Sequence, residues 1–107
     1  MPGAHRNADS RFCGASTIVV GQSTVFVNGR LWAVEGDYDT HCNQGQLSAV
    51  YGDKNVYISG KLVICAVGDT AAGDRAGCVI EHPPGATDPL GHSMDVTVYG
   101  GAAGSGS

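Results

Sequence analysis

Two stretches of this 107-residue chain are nearly the same: STVFVNGRLWAVEGD, ending at Asp37, and NVYISGKLVICAVGD, ending at Asp69. Each reads as an outgoing strand, a two-residue turn, a return strand and a closing Gly-Asp. Asn28-Gly29 and Ser59-Gly60 sit at the turns, and Asn-Gly is the strongest short hairpin signal because both residues tolerate positive φ. The copies are 31 residues apart up to Leu31 and Leu62, but 32 apart at Asp37 and Asp69, so the second return arm holds one extra residue. Residues 4–9, AHRNAD, read as a return arm without its partner, and residues 96–100, VTVYG, as an outgoing arm without its return. Two whole hairpins and two halves make three units. Pairing of the two ends would complete the third and hide the sheet edges that a small β protein must protect.

Composition supports that reading. Seventeen glycines interrupt almost every window in which helical periodicity could develop. The expected fold is therefore all-β, a small cone of three pseudo-symmetric hairpin repeats. The domain spans residues 1–101, and 102–107 form a flexible Gly/Ser/Ala tail. A formal net charge of −4, with Lys and Arg scattered, offers no basic patch for nucleic acid. No apolar run approaches the ~20 residues that cross a bilayer as a helix. The opening MPGAHRNADS lacks the apolar core of a secretory signal, so synthesis in a cytoplasm is expected. In that compartment four cysteines beside four histidines suggest metal more than disulfides.

The loops that follow each Gly-Asp or Ala-Asp pair carry the chemistry. Cys13 lies four residues past Asp9, and His41 four past Asp37. Equivalent loop positions in a closed three-fold arrangement converge on its axis, which can assemble a tetrahedral site without a local C-x-x-C motif. The third loop departs from the pattern, since Gly73 stands four past Asp69. It is long, and it carries Cys78 and His82, with His92 beyond. Counted back from the next arm, His82 precedes Gly91 by nine residues as Cys13 precedes Gly21 by eight. The expected metal ligands are Cys13, His41, His82 and, as fourth, Cys78, with His92 and Cys42 as alternatives. Zinc suits mixed thiolate and imidazole donors; iron is the other possibility. Cys65 reads as a core thiol, His5 as an arm residue opposite Ala33 and Cys65, and Cys42 as pointing away from whatever His41 faces.

Cysteine with histidine can also form a nucleophile and base, and Asp9, Asp37 or Asp69 could orient a histidine. Their recurrence at one turn position is better explained by aspartates closing their own backbone hydrogen bonds. Such a short, divided chain also leaves little wall for a substrate pocket. No enzyme activity is expected. A small hydrolase using Cys13 or Cys78 stands as the third reading.

The two long segments, with their half-copies at either end, resemble the PAAR repeat family over about residues 2–101. There a strand and an N-G turn precede Pro-Ala-Ala-Arg-x-Gly-Asp. The namesake tetrapeptide is absent here, its place being taken by Leu31-Trp32-Ala33-Val34 and Ile64-Cys65-Ala66. The resemblance implies a cone with zinc near its apex, held by histidines and cysteine of the inter-repeat loops. Cys13, His41 and His82 fall at those ligand places; the family's usual three His and one Cys differ from a set that includes Cys78. It implies a base seated on a trimeric β-helical spike, one tip per trimer, in a contractile phage tail or a type VI secretion machine. The tip would meet the target membrane only transiently and would be monomeric when alone. The closest likeness is to phage tail tips, made in the host cytoplasm and carried on the virion. The runner-up reading is a stand-alone zinc-binding module whose loops recognise a partner.

Overall fold

The computed structural model describes residues 3–42, 44–50, 56–66 and 68–97. All regular structure among them is β, in twelve strands of two or three residues joined in antiparallel pairs. The two long repeats fold alike. Phe26 pairs with Leu31 and Val27 with Arg30; Tyr57 pairs with Leu62 and Ile58 with Lys61. Both turn residues of each hairpin have positive φ, at 52° and 80° for Asn28-Gly29 and 53° and 80° for Ser59-Gly60. This is the mirror-image turn whose twist matches that of the strands it joins.

Three backbone hydrogen bonds define the centre. His5 N–H donates to Ile64 O (3.0 Å), Ile64 N–H to Ala33 O (2.9 Å), and Ala33 N–H to His5 O (2.9 Å). This closed ring joins one residue from each return arm, and all three are fully buried. On either side of it the same crossing occurs three times, Arg6 with Trp32, Val34 with Val63, and Cys65 with Ala4. The outgoing arms repeat as well: Val25 O, Val56 O and Val96 O accept from Trp32, Val63 and Ala4. The third hairpin is therefore made from the two ends of the chain, sealed by the Gly3–Thr97 bridge.

The ring corrects one alignment. Counting back from the aspartates puts Cys65 opposite His5 and Ala33, but Ile64 occupies that place. Hydrogen bonding at the axis fixes the register from the hairpin side, so the extra residue is absorbed between the ring and Asp69. The aspartates behave as turn closers. Asp9 and Asp37 each accept through Oδ2 from the backbone N–H three residues earlier, of Arg6 and Val34; Asp69 accepts from Cys65, four earlier. Asp37 and Asp69 also reach back to the start of the preceding outgoing arm, accepting from the N–H groups of Val20 and Val50. Ala8 takes φ 70° where the next copy has Gly36 at 92°, so Ala8-Asp9 does hold the Gly-Asp position.

Two apolar clusters flank the ring. One contains Val19, Ala33, Leu47, Ile64 and Ala71; the other contains Val34, Ile58, Val63 and Cys65, with Trp32 packed against it. Cys65 is thus a core residue. On the outgoing arms of the two long hairpins Val27 and Ile58 turn inward, whereas Val25, Phe26, Val56 and Tyr57 are exposed. The turn near Tyr99-Gly100 and the tail over 102–107 lie outside the described residues.

His5 carries a polar thread through this core. Its Nδ1–H donates to Gly91 O, and its Nε2 accepts from the Thr17 hydroxyl, whose oxygen accepts from Arg11 Nε. Burial, with Arg11 and Arg6 close by, outweighs the opposing Gly91 hydrogen bond and Asp9 charge and lowers the His5 pKa from 6.5 to about 4. An unfolded chain protonates first, so this contribution is complete above about pH 6.5 and is lost as pH falls toward 4. Between pH 7 and pH 5 the wild type should lose roughly 2 kcal/mol more unfolding free energy than His5→Gln. Urea titrations at the two pH values measure that difference; equal losses would contradict it.

Candidate metal centre

The repeat places its loop residues as the aspartate offset requires. Strands from successive loops cross beyond the ring, Thr17 opposite Asp39, Leu47 opposite Ala71, and Arg11 opposite Pro89. Arg11, Asp39 and Ala71 each stand two residues past their aspartate. Two residues further on come Cys13, on a turn closed by Gly14 N–H to Arg11 O, and His41, whose N–H is held by Asp39 Oδ1. In the third loop the strands Asp74–Ala76 and Ile80–His82 form a hairpin with Asp74 directly opposite His82.

Cys13, His41, Asp74 and His82 meet there, with one donor atom of each inside a group spanning no more than 4.8 Å. Asp74 is central and fully buried. Its Oδ2 lies 3.3 Å from Cys13 Sγ and 3.2 Å from His41 Nδ1, and its Oδ1 lies 2.7 Å from His82 Nδ1. Cys13 Sγ is 3.9 Å from His41 Nδ1. A four-coordinate ion with sulfur at about 2.3 Å and nitrogen or oxygen at about 2.0–2.1 Å separates its donors by roughly 3.3–3.6 Å. The donor types suit such an ion, and the 3.2 and 3.3 Å separations from Asp74 Oδ2 are close to that spacing, while the group as a whole, spanning up to 4.8 Å, would have to draw in around it.

The electrostatics suit a cation. Burial would raise the Asp74 carboxyl, but polar contacts with Asp39, His82, Cys13 and His41 outweigh it and hold its pKa at about 2. Burial, and then the Asp74 carboxylate beside it, push Asp39 up to about 6. Asp39 Oδ2 is buried without a hydrogen-bond partner, and its nearest cation is Arg11 Nη1 at 3.6 Å. Burial raises the Cys13 thiol pKa, and Asp74 raises it further. A bound metal would oppose that shift by stabilising the thiolate. Asp74 and His82 also line an open cavity of about 490 Å³ with Gln44, Arg75 and Glu81.

Three of the four residues expected from sequence thus come together, and the fourth does not. Cys78 is bonded to Cys42 in a disulfide. It occupies the turn after Gly77, where both residues have positive φ, separated from the Asp74–His82 pair by the Arg75–Glu81 and Ala76–Ile80 pairs. Cys42, at φ 61°, turns away from His41 toward it. The expectation of metal more than disulfides is therefore corrected for one pair: Cys42 and Cys78 are bonded to each other, and Cys13 is not in a disulfide. His92 is elsewhere, its ring beside Ser93 O and next to Gly3. Asp74, which replaces Cys78, had one visible signal: it follows Gly73, the residue at the ligand offset in the third loop. Elemental analysis of purified variants checks the assignment. Asp74→Ala should retain less than about a tenth of the wild-type metal, whereas Cys78→Ser, which keeps all four donors, should still take up about one ion per chain when zinc is supplied in excess.

Comparison with protein-family models, with curated proteins and with solved structures finds no match to this chain.

Proposed function

We propose that this chain is the tip of a contractile injection machine, a cap on the blunt end of a trimeric β-helical spike. The observation that carries the reading is the closed ring of His5, Ala33 and Ile64. One chain that presents pseudo-three-fold surfaces can meet a true three-fold axis with similar contacts three times, at one copy per trimer. Exposed apolar residues recur with that symmetry. Phe26 (58 %) matches Tyr57 (59 %), and Val20 (60 %) matches Val50 (59 %), with Leu90 as the third of the latter set. Unpartnered apolar surface repeated at equivalent positions supports a docking face. The metal centre then cross-links all three inter-repeat loops at the conical apex, with zinc as its ion because thiolate, imidazole and carboxylate suit it at four-coordinate sites. In this role the chain is structural rather than catalytic. It would be carried at a phage tail tip or on a type VI machine, and would touch the target membrane only during contraction.

Co-purification with trimeric β-helical spikes, followed by imaging of the blunt end, tests the reading. One copy per trimer is expected, and Phe26→Asp with Tyr57→Asp should abolish capture while metal content stays intact. Three copies per trimer, or capture that survives these changes, would reject it. The loop-recognition module is the second reading, favoured by exposed Phe12, Val79 and Ile80 beside the metal loops. It predicts that substitutions at those three residues, and not at the hairpins, abolish partner binding.

A further inference from the structure

The Cys42–Cys78 disulfide and the metal centre join the same two loops. Cys42 immediately follows His41. Cys78 stands four residues after Asp74 and four before His82, at the turn of the hairpin whose strands carry both. The disulfide spans 36 residues of chain, with its Cα atoms 5.5 Å apart. One covalent bond therefore fixes the His41 loop against the hairpin that supplies two of the other three donors. Without it, those donors are brought together by the short ladder, the Asp74 contacts and the repeat framework alone. Both ends of the bond are within reach of solutes, since Cys78 is exposed and Cys42 half-buried. The His41 and His82 side chains are themselves 20 % and 23 % exposed, so the cluster is open to solvent at its imidazoles.

We propose that the Cys42–Cys78 pair is a redox latch on the metal centre, holding the ion tightly when oxidised and loosening it when reduced. The disulfide removes freedom from the metal-free loops that binding would otherwise have to remove, so oxidised protein binds metal with less loss of entropy. Closure needs a low-molecular-weight disulfide of the glutathione type. The Cys78 thiolate attacks it and releases one small thiol, leaving a mixed disulfide; the Cys42 thiolate then displaces the second small thiol. Two protein thiols are oxidised and one small disulfide is reduced to two thiols. The latch depends on the metal centre and not on the spike reading, and it is tested without a partner.

The test uses the full chain loaded with zinc alone, its disulfide intact, in competition with a chromophoric chelator. A second sample is first reduced with a water-soluble phosphine, which becomes the phosphine oxide with oxygen from water while the two thiols form. Reduction should weaken zinc affinity by about tenfold or more. The variant carrying Cys42→Ser and Cys78→Ser should show the weak affinity with or without reductant. Linkage supplies a readout on the wild type only: zinc should make the disulfide harder to reduce by the same factor, about 30 mV lower in midpoint for each tenfold. Equal or tighter zinc binding after reduction would overturn the latch, as would failure of the oxidised protein to take up zinc or a midpoint unmoved by zinc.

Discussion

Chelation of the purified protein should lower its unfolding free energy by several kcal/mol, roughly 5 or more, and its melting temperature by about 20 °C or more. The reasoning begins with size. Among the described residues of this 107-residue chain the strands are two or three residues long, and the core consists of two small apolar clusters. A metal ion held by Cys13, His41, Asp74 and His82 would tie all three inter-repeat loops together. An ion that binds only the folded chain stabilises it in proportion to the logarithm of its concentration over its dissociation constant. In its absence Asp74 and Asp39 are neighbouring buried carboxyls, with Arg11 as the nearest cation to Asp39. Cys13→Ser and Asp74→Ala should therefore unfold close to the chelated wild type whether or not metal is supplied, and Cys65→Ala should leave metal content unchanged. Coincident unfolding curves for loaded and chelated wild type would contradict the prediction.

The hairpins were legible in the sequence because their determinants are local. Positive φ at Asn28, Gly29, Ser59 and Gly60 is written in those residue types, and the aspartates that close the arms use hydrogen bonds a few residues away. Closure of the third unit was legible from the half-copies, because a missing return arm and a missing outgoing arm complement each other. The ligand set was legible only where it followed the repeat. Cys13 and His41 share one offset from their aspartates, but the third loop adds a hairpin of its own, and a ladder decides which of its residues face inward. Offsets along the chain cannot distinguish Asp74, opposite His82, from Cys78, out at the turn. The disulfide was missed for a related reason. Its partners are 36 residues apart and meet only because that hairpin folds back beside the His41 loop.

Arg11→Met should destabilise the protein by about 3–5 kcal/mol in chemical denaturation, more than the loss of any single surface ion pair. Arg11 is 1 % exposed and lies between the core and the metal loops. Its Nη1 donates to Gly45 O and Thr87 O at 3.0 Å, its Nη2 to Tyr38 O at 3.1 Å, and its Nε to Thr17 Oγ1 at 2.6 Å. Those acceptors come from all three inter-repeat loops, so a single guanidinium gathers them as three separate donors could not. Burial lowers the pKa of this guanidinium, and Asp39 is first among the acidic groups that oppose the shift. Methionine would fill much of the volume but take the guanidinium's donors away from three carbonyls and leave Asp39 buried without its cation, and each polar group orphaned in this way costs about 1–3 kcal/mol. The pair gives a sharper discrimination than the single change. If the damage comes from the stranded carboxylate, Asp39→Asn should recover part of it in the Arg11→Met background, although it is harmful by itself. If the carbonyls dominate, the two losses should add. Either pattern identifies what Arg11 holds, whereas an Arg11→Met protein as stable as the wild type would mean that the buried guanidinium contributes no net stability.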